Sequence, residues 1–246
     1  MTSSDLLGHL RAIYRLLALQ LFFLGIYPLL LWAQVVDFFL DHARGRRHAR
    51  WLRQWARGFA AIVGMRAELR GQPPLPPCLL VSNHLSYVDV MLLALHAESI
   101  FVAKSEIARW PFIGRICRAL NTIFIDRKRK RDLPRIVAAM TDALQKGRTV
   151  VFFPEATSTP GRTVLPFKSP LFEAAVRTRC GVRYAALTYQ TPSDPSAAHQ
   201  SVTWWGDMSL LGHLYGLLRL PGFDASILFS SETLRANNRK LLAFQA

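Results

Sequence analysis

The sequence predicts an α/β fold: a mixed, mostly parallel sheet flanked by helices and preceded by an N-terminal membrane-associated helix pair. Three observations carry that prediction. From residue 78 onward, short apolar runs alternate with helix-like stretches. Residues Leu16 to Val36 form an apolar run without a charged side chain, followed by a stretch rich in arginine and tryptophan. Between the two regions lies GQPPLPP, Gly71 to Pro77, which reads as a linker. The chain therefore divides into a helical membrane-associated segment, 1–70, and an α/β domain, 71–246. At 246 residues it is long enough to bury a substantial core.

The first element is the run LLALQLFFLGIYPLLLWAQVV. Its length is close to the ~20 residues that span a bilayer core. It is too long for a signal-peptide core, and no small-x-small cleavage site follows it. Arg11 and Arg15 precede it, and Arg44, Arg46, Arg47, Arg50, Arg53 and Arg57 follow. This bias puts the C-terminal side in the cytoplasm. Pro28 kinks a helix, so the segment either crosses the membrane or dips into one leaflet; a buried core helix is the plainer alternative. The second element is ARGRRHARWLRQWARGFAAIVGM. Trp51, Leu52, Trp55, Phe59, Ile62 and Val63 recur at spacings of three and four, the pattern of an amphipathic helix. Arginines beside tryptophans suit the headgroup level of an anionic membrane.

In the second region, strands are predicted at Cys78–Ser82, Ile100–Ala103, Thr122–Asp126, Thr149–Phe153, Val182–Thr188, Val202–Trp205 and Ser226–Phe229. Helices are predicted at Tyr87–His96, Phe112–Leu120, Leu133–Gln145, Pro170–Thr178, Ser209–Leu218 and Glu232–Ala246. No internal repeat is present.

Charge narrows the partners. Lys and Arg total 31 against 16 Asp and Glu, a formal net charge of +15. Such an excess calls for an anionic partner: nucleic acid, lipid headgroups or a polyanionic substrate. Because the arginines follow a long apolar run, an anionic membrane surface is expected and nucleic acid is not. Cys78, Cys117 and Cys180 are odd in number and far apart, which argues against a disulfide scaffold or a zinc site.

The stretch VSNHLSYVD, Val81 to Asp89, raises the question of chemistry. Ser86 and Asp89 fit the S-x-x-D box that opens many helices, which makes His84 a mere loop residue. Alternatively, His84 is a base and Asp89 holds its imidazole. The polar stretches NHLSYVD, DRKRKR and PEATSTPGR each follow a predicted strand. In open α/β sheets the crevice beyond the strands' carboxyl ends is the usual ligand site. His84, Asp89, Asp126, Arg127 and Glu155 are thus expected to converge on one cleft, which favours the chemical reading.

Several blocks in order resemble one family. NHLSYVD resembles the NHxSxxD block of glycerolipid acyltransferases, the family of 1-acyl-glycerol-3-phosphate acyltransferase. AKSEIARWPFIGRICRALNTIFIDR resembles its second block, with Lys104, Glu106, Pro111, Gly114 and the closing FIDR. FPEATS resembles its FPEGTRS block, and LPFK follows at a familiar distance. The segment WWGDMSLLGHLYGLL has a looser similarity to bacterial relatives, including those that acylate lyso-ornithine lipid.

The resemblance implies a bacterial inner-membrane enzyme facing the cytoplasm. It would move a fatty acyl group from a thioester, acyl-CoA or acyl carrier protein, to a lysolipid hydroxyl. Lysophosphatidate is the expected acceptor and lyso-ornithine lipid the alternative; no cofactor is implied beyond the acyl cosubstrate. His84 would remove the hydroxyl proton, and Asp89 would orient the imidazole and stabilise its cation. Asn83 and the N–H groups of the 153–158 loop would stabilise the oxyanion. Arg127 would pair with acceptor phosphate, since a guanidinium binds phosphate oxygens bidentately. Lys104, Glu155, Thr157 and Ser158 lie in the matching blocks as substrate-binding positions. Two departures weaken the phosphate reading: Ala156 and Ser158 stand where the family has glycine and arginine, and Tyr184 replaces a proline in a late V-x-P block. Arg162, Lys168 or Arg183 can supply the missing charge.

Three rivals remain. A hydrolase could hold a hard divalent ion through His84, Asp89, Asp126 and Glu155, yet the chain has no H-x-H or D-x-D cluster. A serine hydrolase would want G-x-S-x-G, which is missing. A non-catalytic basic membrane scaffold explains the charge but not the blocks around His84 and Glu155.

Overall fold

A computed structural model describes residues 3–39, 44–111, 113–126, 129–192 and 197–246. Two helices open the chain, α1 (Ser3–Phe39) and α2 (Arg44–Val63). Strand β1 (Met65–Arg70) and strand β2 (Cys78–Ser82) follow, then α3 (Val88–His96) and β3 (Ser99–Lys104). A short 3₁₀ turn at Ser105–Arg109 leads to α4 (Ile113–Ala119), β4 (Ile123–Ile125), α5 (Leu133–Gln145) and β5 (Thr149–Phe152). The last third comprises α6 (Glu173–Thr178), β6 (Val182–Gln190), α7 (Ala198–Ser201), α8 (Leu210–Arg219), β7 (Phe223–Phe229) and α9 (Arg239–Gln245).

The strands form one sheet in the order β1-β7-β6-β2-β5-β3-β4. Every neighbouring pair is parallel except β6 with β7. This is the mixed, mostly parallel sheet expected from the alternation. The central strands β2 and β5 are buried along their whole length, as strands covered on both faces must be. One apolar layer packs α1, α2, α3 and α8 against the sheet, with Leu92, Leu93, Leu217 and Phe223 wholly buried. The other packs α5, α6 and α9, around Ile136, Met140 and Phe172.

The N-terminal helices differ from expectation. Helix α1 is continuous through Pro28, and it keeps an exposed apolar stripe that includes Leu10, Leu17, Leu21, Leu24 and Trp32. Its segment Asp5–Gly25 is long and apolar enough to cross a membrane. Arg11 and Arg15 are not simple flanking charges. They donate to the carbonyls of Arg219 and Leu220 at 2.8 and 2.7 Å, satisfying orphan groups at the C-terminal end of α8. Helix α2 is amphipathic as predicted, but its apolar face does not face outward. Leu52, Trp55, Ala56, Phe59 and Val63 are buried in the core. Phe22 of α1 lies where a Cβ on Gly58 would be, so the two helices meet closely there. Among the described residues of the two helices, the exposed large apolar side chains lie on α1.

Other differences have local causes. The predicted second helix extended to Met65, but Gly64 (φ +75°) ends it, and Met65 begins a strand paired with β7. Residues 65–70 therefore join the sheet. The predicted strand Val202–Trp205 lies outside the named strands; its one ladder-like bond runs from Trp204 N–H to the Leu85 carbonyl at 2.8 Å. The predicted helix Glu232–Ala246 begins only at Arg239. Asn238 caps it by accepting from Lys240 N–H at 2.7 Å, while Leu234 bridges to Val182 instead.

Candidate active site

Strands β2 to β6 are mutually parallel, so their C-terminal ends share one edge of the sheet. The loop after β2, residues 83–87, carries His84 and leads into α3, which carries Asp89. The imidazole Nδ1 of His84 and Oδ2 of Asp89 are 2.7 Å apart. An ionised carboxylate only accepts, so Nδ1 carries the proton and Nε2 presents a lone pair. Asp89 is fully buried and fully engaged. Its Oδ2 also accepts from the N–H groups of Leu85 (2.7 Å) and Ser86 (3.0 Å), and Oδ1 accepts from the Tyr189 hydroxyl (2.6 Å). A buried charge without such partners would be strongly unfavourable. The imidazole stacks on Phe153, with centroids 4.1 Å apart and planes 13° from parallel, which fixes the ring plane.

The loop's backbone is tied from three further directions. Glu155, from the loop after β5, is buried; one carboxylate oxygen accepts from His84 N–H at 2.7 Å and the other from Leu165 N–H at 2.8 Å. Thr159 N–H donates to the His84 carbonyl at 2.9 Å, and Trp204 N–H to that of Leu85. The Asn83 amide acts as an extra rung of the sheet, donating to the Leu187 carbonyl at 3.0 Å and accepting its N–H at 2.8 Å. Through these bonds Asn83 and Glu155 hold the loop in place.

The expected cleft forms only in part. His84, Asp89 and Glu155 come together, but Asp126 follows β4, three strands from β2. At the usual spacing that is about 14 Å to the side. There it pairs with Arg129 at 3.3 Å. Arg127 lies outside the described residues. Lys104 ends β3, two strands from β2, and pairs with Glu106 at 3.2 Å. Thr157, Arg162 and Lys168 are exposed and Ser158 is half-buried, all on the long loop after β5. Ala156 holds φ +61°, a left-handed conformation that favours the glycine found in the family's block. Beside Asn83, on the α9 side of the sheet, a groove of about 780 Å³ is lined by Leu165, Phe167, Ala186 and Phe244, among others. Among the described residues, no three His, Cys, Asp or Glu side chains gather as a metal site.

Sequence reasoning missed Tyr189, which closes the hydrogen-bond shell of Asp89. Its inward register in an alternating strand is visible in VRYAALTYQ, but its partner across the sheet is not.

An imidazole held by a buried carboxylate, on a pinned loop at the carboxyl edge of a parallel sheet, is an arrangement that general acid–base chemistry can use. A family model described as Acyltransferase matches residues 66–189, half of the chain. The chain belongs to the acyltransferase family. A lyso-ornithine lipid O-acyltransferase of Rhodobacter capsulatus is 35% identical over 162 residues, 64% of this chain and 58% of that one. A 1-acyl-sn-glycerol-3-phosphate acyltransferase of Neisseria meningitidis is 32% identical over 166 residues, 67% of this chain and 65% of that one. The matches thus span less than two thirds of these relatives' own length. The fold resembles a crystal structure of the 1-acyl-sn-glycerophosphate (LPA) acyltransferase PlsC from Thermotoga maritima. The TM-score is 0.62 at 20% identity, over 96% of this chain and 92% of that one.

Proposed function

We propose that the protein transfers a fatty acyl group from a thioester to the hydroxyl of a lysolipid, with His84 as general base. The supporting observation is the 2.7 Å bond between His84 Nδ1 and a fully buried Asp89, which leaves Nε2 as the proton acceptor. A lipid alcohol is a poor nucleophile near neutral pH. As its oxygen attacks the thioester carbonyl, its proton passes to Nε2, and Asp89 stabilises the imidazolium. The tetrahedral intermediate then collapses to the ester. The C–S bond breaks, and the leaving thiolate takes the proton back from His84. The acceptor stands where a serine nucleophile would, so no acyl-enzyme forms. In this reading the N–H groups of the 153–158 loop, which follows β5 at the same edge, are the donors offered to the oxyanion.

The acyl donor in this reading is acyl-CoA or acyl carrier protein, and no further cofactor takes part. Two acceptors divide the observations. FIDR, with Arg127, and the relative from Neisseria meningitidis favour 1-acylglycerol-3-phosphate. Ser158 in place of arginine, and the relative from Rhodobacter capsulatus, favour lyso-ornithine lipid. We further propose that the exposed stripe of α1 holds the enzyme in the bacterial inner membrane, with the catalytic edge on the cytoplasmic side. Purified protein given one acyl thioester and either acceptor tests the reaction, with released thiol and product lipid as readouts. His84→Ala should lower turnover at least ~10²-fold. Near-normal turnover in that variant ends this mechanism, and the faster acceptor decides between the two lipids.

A further inference from the structure

Along β6 burial alternates, sending Ala185, Leu187 and Tyr189 into the apolar layer that also covers α3. Of these three, Tyr189 alone carries a polar atom there. Its ring packs edge-on against Phe223, with centroids 6.1 Å apart and planes at 71°. A phenol hydroxyl in such a layer needs an acceptor, and it reaches Asp89 Oδ1 at 2.6 Å. That is the oxygen turned away from His84. The other oxygen, Oδ2, takes the imidazole and two backbone N–H groups.

A carboxylate held through one oxygen retains rotation about Cβ–Cγ, a soft torsion with a broad well. A short, charge-assisted bond to the opposite oxygen removes that freedom. We propose that Tyr189 is a positioning residue of the acyl-transfer site: it locks Asp89 so that Oδ2 faces His84 Nδ1, and it moderates the carboxylate's pull on that proton. The inference rests on His84 being the base. Burial and the charge of Asp89 push the Tyr189 phenol well above its ordinary range, so it remains a donor at any working pH. The titratable groups facing it are Asp89 and Tyr87, with His84 on the far side of the carboxylate.

Tyr189→Phe removes the hydroxyl and leaves the ring against Phe223. With one donor lost, Asp89 attracts the imidazolium proton more strongly. We expect kcat to fall about 10- to 100-fold, the weight of one charge-assisted hydrogen bond. KM should change less than about twofold, and the acid limb of the kcat/KM profile should move to higher pH. In an Asp89→Asn background the same substitution should cost little more, because the two residues act as a unit. Site-specific 3-fluorotyrosine at 189, a stronger donor that preserves packing, should move the acid limb to lower pH. A purely structural tyrosine would alter stability and leave both limbs in place. Unchanged kcat and acid limb in Tyr189→Phe overturn the proposal, as does an equal loss in the Asp89→Asn background. Carbethoxylation of His84 across pH, read by peptide mass spectrometry, reports the same coupling without turnover. Its curve should move upward in Tyr189→Phe, and an unmoved curve refutes the coupling. If wild-type protein and His84→Ala release thiol equally, the acyl-transfer reading has failed, whereas the carbethoxylation curve still reports on Tyr189.

Discussion

Glu155 offers a sharp test, because its sequence position and its geometry point to different roles. Its place in FPEATS suggests substrate binding, yet both oxygens are buried and accept backbone N–H groups, one from His84 and one from Leu165. Glu155→Gln keeps size and one carbonyl acceptor but turns an amide N–H₂ toward the other donor. One charge-assisted bond, worth roughly 1.5–3 kcal/mol, is lost, and a buried N–H is left facing another donor. We expect a net destabilisation of about 2–3 kcal/mol. In a chain of this length that corresponds to a fall in Tm of about 4–12 °C. Glu155→Ala, which removes both acceptors, should fall further.

The kinetic signature separates the two roles. A clamp that has slackened leaves His84 free to wander, and misplacement of a base lowers kcat with little change in KM. A carboxylate in contact with substrate would do the reverse: KM would rise and thermal stability would hold. Thermal unfolding in detergent and steady-state thiol release, measured on the same preparation, give both quantities. Wild-type Tm together with raised KM in Glu155→Gln would refute the clamp.

Two further expectations follow from surface and backbone. Leu17, Leu21 and Leu24 are exposed on α1, so replacing all three with Lys should release much of the protein from membranes without unfolding it, since each leucine withdrawn from lipid forfeits roughly 1.5–3 kcal/mol; a variant that still sediments with vesicles after an alkaline wash would show that α1 is not the anchor. Ala156→Gly relieves a left-handed φ of +61° worth about 1–2 kcal/mol, partly offset by the freer unfolded chain, so Tm by calorimetry should hold or rise by a few degrees, and a clear fall would contradict the strain.

What the sequence made legible was periodic or punctuated. The buried runs of β2 and β5, the helix starting at Leu133 and the His84–Asp89 pair all have local signals, and each appears in the fold. What escaped depends on the partner across space. The amphipathic pattern of α2 correctly marks an apolar face, but periodicity does not say whether lipid or α3 covers it. Gly64 was an available stop signal, overridden by the apolar spacing up to Val63. Val202–Trp205 carries strand-like residues without a neighbouring strand to pair with. Arg11 and Arg15 look like topogenic charges until α8 brings its carbonyls to them. Strand order decides the remaining case: loops that all follow strands share one edge, yet Asp126 lies three strands from His84, and order is not written in local composition.

The ambiguity at Ser86 and Asp89 takes an unexpected direction, because the capping contact and the His84 bond use the same carboxylate oxygen. Asp89 sits in the first turn of α3, and its Oδ2 accepts Ser86 N–H, the backward reach expected of a capping box. The reciprocal half of the box is missing: the Ser86 hydroxyl is buried without a partner among the described residues. The same Oδ2 takes His84 Nδ1–H and Leu85 N–H, so one oxygen both starts the helix and orients the imidazole. The first turn of a helix favours a negative side chain, and Asp89 occupies that turn of α3. A helix-start signal and the proposed catalytic signal therefore have the same letters for a physical reason. The residue that must accept from the loop's N–H groups is already placed, charged and desolvated where an imidazole can use it. That economy also explains why Oδ1, the oxygen not needed by the cap, is left for a partner from a distant strand, and why that partner's identity lay beyond any local reading of NHLSYVD.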